Sequence, residues 1–252
     1  MKIVVIGGTG LIGSSLVAQL SQAGHEAIAA APSTGVNTLT GEGVAEALTG
    51  ADVVVDVSNS PSFEEQAVLE FFTISTRTLL DAARTAGVGH YVALSIVGTD
   101  RLPDSPYLRA KVAQEALIRD GGVPYSIVHA TQFYEFVRGI ADSSMVDGVV
   151  RLPHAGIQPM ASADVVAAVK RVAVGEPLGG IVEIGGPQHW YLDDLVRTGL
   201  ALMGDDRTVV TDADATYFGT QLHGDELVPG PDAQLSTVGY EQWLPDNPPP
   251  AR

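Results

Sequence analysis

Short apolar runs alternate with helical patterns through the first half of the chain. Lys2–Ile6, Glu26–Ala30, Asp52–Val57, Tyr91–Ser95 and Tyr125–His129 are brief and apolar, most of them rich in Val or Ile, as strands buried on both faces of a parallel sheet should be. A weaker short strand is predicted at Val36–Leu39. Between the runs, Leu11–Ala23 places Ile12, Leu16, Val17 and Leu20 on one helical face, and Gly24 suits its end. Glu42–Leu48 reads as a short helix. Ser62–Ala86 reads as a long one, buried through Val68, Leu69, Phe72, Leu79, Leu80 and Ala83 and ended by Gly87. Pro106–Arg119 is a further helix, closed by Gly121 and Gly122. Strand alternating with helix predicts an α/β fold: a doubly wound parallel sheet with right-handed crossovers and helices on both faces.

The pattern changes after residue 150. Ser162–Val174 and Asp193–Met203 read as helices and Ile181–Ile184 as a strand. The remainder is irregular, and the tail Pro245–Arg252 carries four prolines and is expected to fray. There is neither a repeat nor a long linker. The expectation is one domain over 1–252, with a cofactor-binding core at 1–150 and a small, irregular, substrate-side lobe at 151–252.

The charge narrows the partners. Lys plus Arg number 14 against 30 Asp plus Glu, a formal net charge of −16, and lysine occurs only as Lys2, Lys111 and Lys170. A polyanion is a poor partner for such a chain, so neither nucleic acid nor an anionic membrane is expected. Any bound phosphate has to be held by backbone N–H groups and a helix N-terminus. The acids concentrate between Asp193 and Asp246, so the acidity reads as the solvated surface of the C-terminal lobe. There is no cysteine, which removes disulfides, zinc-thiolate sites and a cysteine nucleophile. Without a signal-peptide pattern or an 18-residue apolar stretch, the expectation is a soluble, cytoplasmic protein.

Candidate chemistry begins at Gly7-Gly8-Thr9-Gly10-Leu11-Ile12-Gly13. These residues leave the first strand and open a helix, the context that a dinucleotide fingerprint requires. Gly7, Thr9, Gly10, Leu11, Ile12 and Gly13 are therefore candidate cofactor residues. The alternative is a glycine-rich turn without a ligand. At the end of the second strand, Ala30–Gly35 has neither the acid that would bind an NAD ribose nor the arginine that would take the NADP 2′-phosphate. Ser33 and Thr34 can donate to a phosphate, so NADP(H) is the expected cofactor and NAD(H) the alternative. Asn59, in the Asp56–Ser60 segment at a predicted strand end, can touch a ribose or the nicotinamide side; turn formation before Pro61 explains it equally well. Thr131, Gln132 and Phe133 follow the Tyr125–His129 strand and are expected to line the nicotinamide pocket; for the aromatics of this segment a plain core role explains the pattern equally well.

Tyr107 and Lys111 form a Y-x-x-x-K pair on one helical face, and Ser95 ends the strand before them. Three such groups suit hydride-transfer chemistry. Ser95 would hold the substrate carbonyl, and Tyr107 would act as general acid/base. Lys111 would lower the phenol pKa and hold the ribose hydroxyls. The alternative is a surface Tyr and Lys on a solvated helix. The six histidines show no ligand spacing, so no metal is expected. Asp193–Asp194 and Asp205–Asp206 read as solvated acids. Neither a nucleophile-elbow nor a Walker sequence is present.

The Gly7–Gly13 turn, the strand end Ala93–Gly98, Tyr107-x-x-x-Lys111, and Gly185-Gly186-Pro187 before a helix near Leu192–Leu195 together resemble the short-chain dehydrogenase/reductase superfamily, in its atypical NmrA-like NAD(P)H-binding branch. The resemblance spans most of residues 1–200. It implies a Rossmann-type sheet, a nicotinamide cofactor and the Ser95, Tyr107 and Lys111 roles given above. Many members of that branch have lost the catalytic residues and some act as redox-sensing regulators, whereas this chain retains all three. The expected function is an NAD(P)H-dependent oxidoreductase acting on a small carbonyl or alcohol. The rivals are a non-enzymatic NAD(P)(H) sensor and a nucleotide-sugar epimerase or dehydratase. His154, Met160, Trp190, Tyr217 and Phe218 are candidate substrate-lining residues.

Overall fold

The structure is a computed structural model and describes residues 1–248. Its centre is a seven-stranded parallel sheet. In chain order the strands are β1 (Lys2–Ile6), β2 (Glu26–Ala30), β3 (Val53–Asp56), β4 (His90–Ile96), β5 (Tyr125–Ala130), and two later ones, Gly180–Gly185 and Gln234–Leu235, which become β9 and β14 below. Their order across the sheet is β14-β9-β5-β4-β3-β1-β2. The order in which successive strands are laid down reverses beside β1, which pairs in parallel with β2 on one side and β3 on the other. A doubly wound sheet binds ligands in the crevice at such a switch point, beyond the carboxyl ends of its strands.

The strands' period-two alternation explains why helices cover both faces. In β1, Ile3 and Val5 join a core with Leu16 and Leu20 of helix α1 (Leu11–Gln22), while Val4 and Ile6 face the opposite layer. That layer holds helices α2 (Val44–Leu48), α3 (Glu65–Ala86) and α4 (Pro106–Asp120). Leu79 and Ala83 of α3 and Ile118 of α4 pack there against Tyr91 and Ile127.

Val36–Leu39 forms no strand, contrary to expectation. Its segment is folded by turns: Asn37 Oδ1 accepts the Leu39 N–H at 3.0 Å, and a Cβ on Gly43 would sit 2.2 Å from the Gly35 carbonyl oxygen. This close crossing leaves no extended length to add to the sheet, so β2 is its edge and Asp52–Val57 is the third strand, not the fourth. Helix α3 also starts three residues later than Ser62, because Ser60, Ser62 and Pro61 build a turn before it.

The rest of the chain is α5 (Val137–Ser143), β6 (Met145–Val146), β7 (Val149–Leu152), β8 (Gly156–Ile157), α6 (Ser162–Ala173), β9, β10 (Trp190–Tyr191), α7 (Leu192–Leu202), β11 (Val209–Thr211), β12 (Thr216–Tyr217), β13 (Thr220–Gln221), β14 and α8 (Tyr240–Trp243). Helix α6 joins the α1 face through Val165 and Val169. Leu152, Ile157, Leu192, Leu195, Val196 and Tyr240 build a separate apolar cluster for the lobe. The lobe is less irregular than its sequence suggests, with a three-stranded sheet β11-β7-β6 and two small strand pairs. Of the proline-rich tail, Leu244–Asp246 is a single 3-10 turn, and residues 249–252 lie outside the described residues. Among the described residues, no helix is long and apolar enough to cross a membrane.

Candidate functional site

The glycine turn joins β1 to α1 at the switch point. Three of its glycines are demanded by the chain itself, Gly8 because its Cβ would lie 2.6 Å from the Ala29 Cα. A Cβ on Gly7, which has φ of +78°, would lie 2.9 Å from the Ser58 backbone, and one on Gly13 would lie 2.1 Å from the Gly7 carbonyl oxygen. Gly10 differs: its Cβ would meet only the Gly7 oxygen, at 3.4 Å. The space beside Gly10 is open, and Thr9, Gly10 and Leu11 are exposed around it. Gly10 is also the N-cap of α1. It offers no side-chain cap, and the first turn of Leu11, Ile12 and Gly13 carries no acid. The N–H groups of that turn and the positive end of the helix are thus available to an anion. The cradle fits a dinucleotide diphosphate in a chain with few cations.

The second-strand end is partly committed to itself. Thr34 Oγ1 accepts the Ala31 N–H at 2.9 Å, and the Ala29 and Ala31 carbonyls lie within reach of its hydroxyl proton. Ser33 beside it is exposed.

On the far side of the turn, the Gly7–Ser58 contact carries the chain to Asn59. Tyr107, in the first turn of α4, donates its hydroxyl to Asn59 Oδ1 at 3.0 Å. Ser105 fixes that turn as N-cap, accepting from Leu108 N–H. Burial pushes the Tyr107 phenol up to about 12, so it is a protonated donor at neutral pH.

Lys111 and Ser95 point elsewhere. The Lys111 ammonium donates to the Leu94 carbonyl at 2.9 Å and to Gln114 Oε1, and lies 4.5 Å from the centre of the Phe72 ring. Burial lowers it to about 8, against the opposing pull of Asp56 and Glu115. Both acids act on it from neighbouring elements, Asp56 at the end of β3 and Glu115 on α4. Ser95 donates to Glu115 Oε1 at 2.6 Å, and His129 Nε2 lies 2.8 Å from the same oxygen. Burial alone would raise Glu115, but His129, Ser95 and Arg119 together hold its carboxyl below the usual range. Asp56 in turn accepts from Tyr91 and Gln114, each at 3.1 Å. The structure therefore couples Tyr107 to Asn59, and Lys111 and Ser95 to a buried polar layer. The expected lowering of the phenol by Lys111 is absent from this arrangement. Gln114 and Glu115 escape a sequence reading, and Asp56, noted there only as part of a strand end, proves to be an acceptor of the buried layer; the only signal for Glu115 is its place one helical turn after Lys111.

Thr131 and Gln132 follow β5 at the same carboxyl edge. Thr131 Oγ1 and Gln132 Oε1 are buried without a hydrogen-bond partner. Such orphans are costly unless a ligand satisfies them, and a carboxamide has the donors and acceptor to do so. Of the other candidates, Phe133 stacks on Phe136 with centroids 5.4 Å apart, and Met160 is core. Trp190 Nε1 is a further buried orphan. Tyr217 lies edge-on to Phe218 at 4.7 Å.

His154 lies in a different cluster. Its Nδ1 is 2.9 Å from Asp193 Oδ1, and its ring stacks on Tyr191 at 3.8 Å. Asp193 is buried and not solvated as its sequence suggested, because α7 turns its first residues toward Thr211, whose hydroxyl donates to Asp193 Oδ2 at 2.5 Å. His154, Asp193 and Asp194 could together face one ion, but Arg197 pairs with both carboxylates.

Comparison with known proteins places this geometry. Three photosystem II assembly factors named Ycf39 are similar in sequence. That of Cyanophora paradoxa is 22% identical over 83% of this chain and 71% of its own length. The Synechocystis one is 24% identical over 55% and 47%. Among solved structures, dTDP-glucose 4,6-dehydratase from Streptomyces venezuelae with NAD and TYD bound superposes with a TM-score of 0.77 at 20% identity, covering 98% of each chain. A short-chain dehydrogenase/reductase superfamily protein from Agrobacterium tumefaciens with bound NAD gives 0.74 at 18%, covering 98% of this chain and 95% of that one. UDP-glucose 4-epimerase from Thermus thermophilus in complex with NAD gives 0.68 at 18%, with 98% and 93% covered. These likenesses establish a shared fold. The family model described as NAD(P)H-binding matches residues 7–148, from the first glycine of the turn past β6, and by that match the chain belongs to the NAD(P)H-binding family, on a short-chain dehydrogenase/reductase fold.

Proposed function

We propose that the protein is an NAD(P)H-dependent oxidoreductase that reduces a small carbonyl compound, with Tyr107 as the proton donor. One observation carries this reading: a protonated Tyr107 phenol is held by Asn59 at the carboxyl edge of the sheet, one residue along from the Gly7–Ser58 contact. The first turn of α1 and the exposed edge of Gly10 hold the diphosphate. Thr131 Oγ1 and Gln132 Oε1 take the carboxamide, which would relieve their unpaired burial. When bound, a reduced nicotinamide supplies hydride to a carbonyl carbon. The chain's own part is to deliver a proton to the carbonyl oxygen, turning C=O into CH–OH. A phenol pushed up to about 12 carries its proton at neutral pH, the form in which it can protonate a carbonyl oxygen. Asn59 is a positioning residue that aims the hydroxyl. Solvent reprotonates Tyr107 after each turnover.

The buried layer has a supporting part. Lys111, held by the Leu94 carbonyl and Gln114, is the only lysine in the core half beyond Lys2. Its ammonium braces the Leu94 carbonyl and Gln114, and Glu115 holds Ser95, so both residues order the strand end behind the site. For cofactor choice we propose NADP(H). No acid stands at 30–35 to repel a 2′-phosphate, and exposed Ser33 can donate to one; the Thr34 hydroxyl is already engaged.

The test is Tyr107→Phe. Cofactor affinity should stay within about threefold of wild type while carbonyl reduction falls at least a hundredfold, the usual scale of a lost general acid. Undiminished turnover refutes the role of Tyr107. Titration with NADPH and NADH tests the cofactor choice, and tighter NADH binding refutes it.

A further inference from the structure

Phe218 occupies a position that its residue type resists. It forms, with Gly219, the two-residue turn of the β12–β13 hairpin, and both have positive φ, +48° and +78°. Such turns favour Asn-Gly, and a bulky side chain in left-handed backbone is disfavoured. Disfavoured backbone persists where the surroundings hold it, and it concentrates at functional sites. Here the surroundings are identifiable. Ser105, the N-cap of α4, donates its hydroxyl to the Phe218 carbonyl at 3.1 Å, tying the hairpin tip to the helix turn that carries Tyr107. The Phe218 ring stacks on Tyr107 with centroids 5.9 Å apart and planes 26° apart. From the other side, Phe63 of the β3–α3 loop approaches Tyr107 at 5.5 Å and Phe218 at 5.9 Å. Both phenylalanines are about half exposed, Phe63 at 56% and Phe218 at 48%. Two loops from distant parts of the chain thus present bare aromatic faces around one phenol.

The nearby cations are already paired. Arg109, two residues past Tyr107, binds Glu65 and the Pro103 carbonyl. Arg101 binds the Val228 and Glu226 carbonyls and Glu183. A ligand carrying a diphosphate would find Arg109 and Arg101 already engaged, whereas a flat apolar one would meet rings that are half exposed.

We propose that Phe63 and Phe218 are the substrate-recognition surface of this protein, selecting a planar, conjugated carbonyl compound (an aryl aldehyde or quinone) over a nucleotide sugar. The surface takes the aromatic face of the substrate by stacking and leaves its carbonyl oxygen to the Tyr107 hydroxyl. This rests on Tyr107 being the proton donor; the recognition surface can be tested without turnover.

The probes are 2-naphthamide, which binds without being reduced, 2-naphthaldehyde as substrate and UDP-glucose as competitor. Calorimetric titration is done on the cofactor-saturated protein. Phe218→Gly removes the ring and suits the backbone, so the fold is kept; Phe63→Ala removes the other. Each should weaken 2-naphthamide about tenfold and raise the KM for 2-naphthaldehyde similarly, with cofactor Kd and Tm unchanged or, for Phe218→Gly, Tm raised. Phe218→Tyr should restore binding. Failure of wild type to bind 2-naphthamide, equal binding by both variants, or UDP-glucose binding tighter than 2-naphthamide overturns the proposal. If Tyr107→Phe keeps full turnover while the naphthamide effects hold, the proton-donor reading falls and the recognition surface stands.

Discussion

The glycine turn offers a sharp test, because the structure assigns its glycines different jobs. At Gly13 an added Cβ would lie 2.1 Å from the Gly7 oxygen and 2.7 Å from the Gly8 Cα. Both are backbone atoms, so α1 has to move off β1. Overpacking of this kind costs about 1–3 kcal/mol, a Tm loss of roughly 2–12 °C for a chain of this size. At Gly10 the added Cβ finds only one atom, at 3.4 Å, and the helix start keeps its fold; N-cap Gly→Ala costs about 1 kcal/mol or less. The methyl instead fills the space in front of the α1 N–H groups. A displaced diphosphate loses charge-assisted hydrogen bonds worth roughly 1.5–3 kcal/mol each, so even one lost bond weakens binding about tenfold or more. Gly10→Ala should therefore keep Tm within about 3 °C and raise the cofactor Kd at least tenfold, while Gly13→Ala should lower Tm and affinity together. The assays are differential scanning calorimetry and fluorescence titration with NADPH. Wild-type affinity in Gly10→Ala, or a Tm loss there equal to that of Gly13→Ala, refutes the assignment of Gly10 to the ligand.

Three further outcomes follow from the buried layer and the edge. Lys111 has its folded pKa lowered to about 8, so between pH 8 and its unfolded value the unfolded chain holds more protons and stability rises with pH; from pH 7 to 9 this amounts to about 1 kcal/mol. Chemical denaturation should show that increment in wild type and lose it in Lys111→Met, and an unchanged pH slope would mean Lys111 is not the titrating group. Glu115 is lowered, despite burial, by its bonds to His129 and Ser95 and by Arg119, so it stabilises the fold above its unfolded pKa and ceases to do so as pH falls through its folded one. Glu115→Gln should flatten the acid limb of a Tm-versus-pH curve below about 4.5, and a limb as steep as wild type would contradict this. Thr131→Val, which removes an orphaned hydroxyl, should leave Tm equal or higher yet weaken cofactor binding; unaltered affinity would show that the hydroxyl does not meet the ligand.

The strands and helices of the core were legible because burial on two faces leaves continuous Val/Ile runs and helices leave a 3.6-residue stripe. Val36–Leu39 failed because an apolar residue at each end of Asn37-Thr38 suits a short strand and a turn alike, and the Asn37 side chain closes the turn. Asp193 failed because charge says nothing about which way a helix start faces. The site was legible as residue types at one edge of the sheet, in the glycine turn, Asn59, Tyr107, and Thr131 with Gln132. Its wiring was not.

What the sequence by itself determined is local: period, glycine punctuation and the scarcity of lysine specify the parallel sheet and a phosphate cradle built from backbone. Tertiary structure alone decided which polar groups meet. Lys111 and Tyr107 share a helical face, but the Leu94 carbonyl of β4 and Gln114 take the ammonium, with Asp56 of β3 and Glu115 of α4 adding their attraction, while Asn59 takes the phenol. Phe63 and Phe218 stand 155 positions apart and have no common pattern; only the hairpin tied to Ser105 brings them to one ring. Contacts between distant segments depend on how layers pack, and that is information no short window of sequence holds.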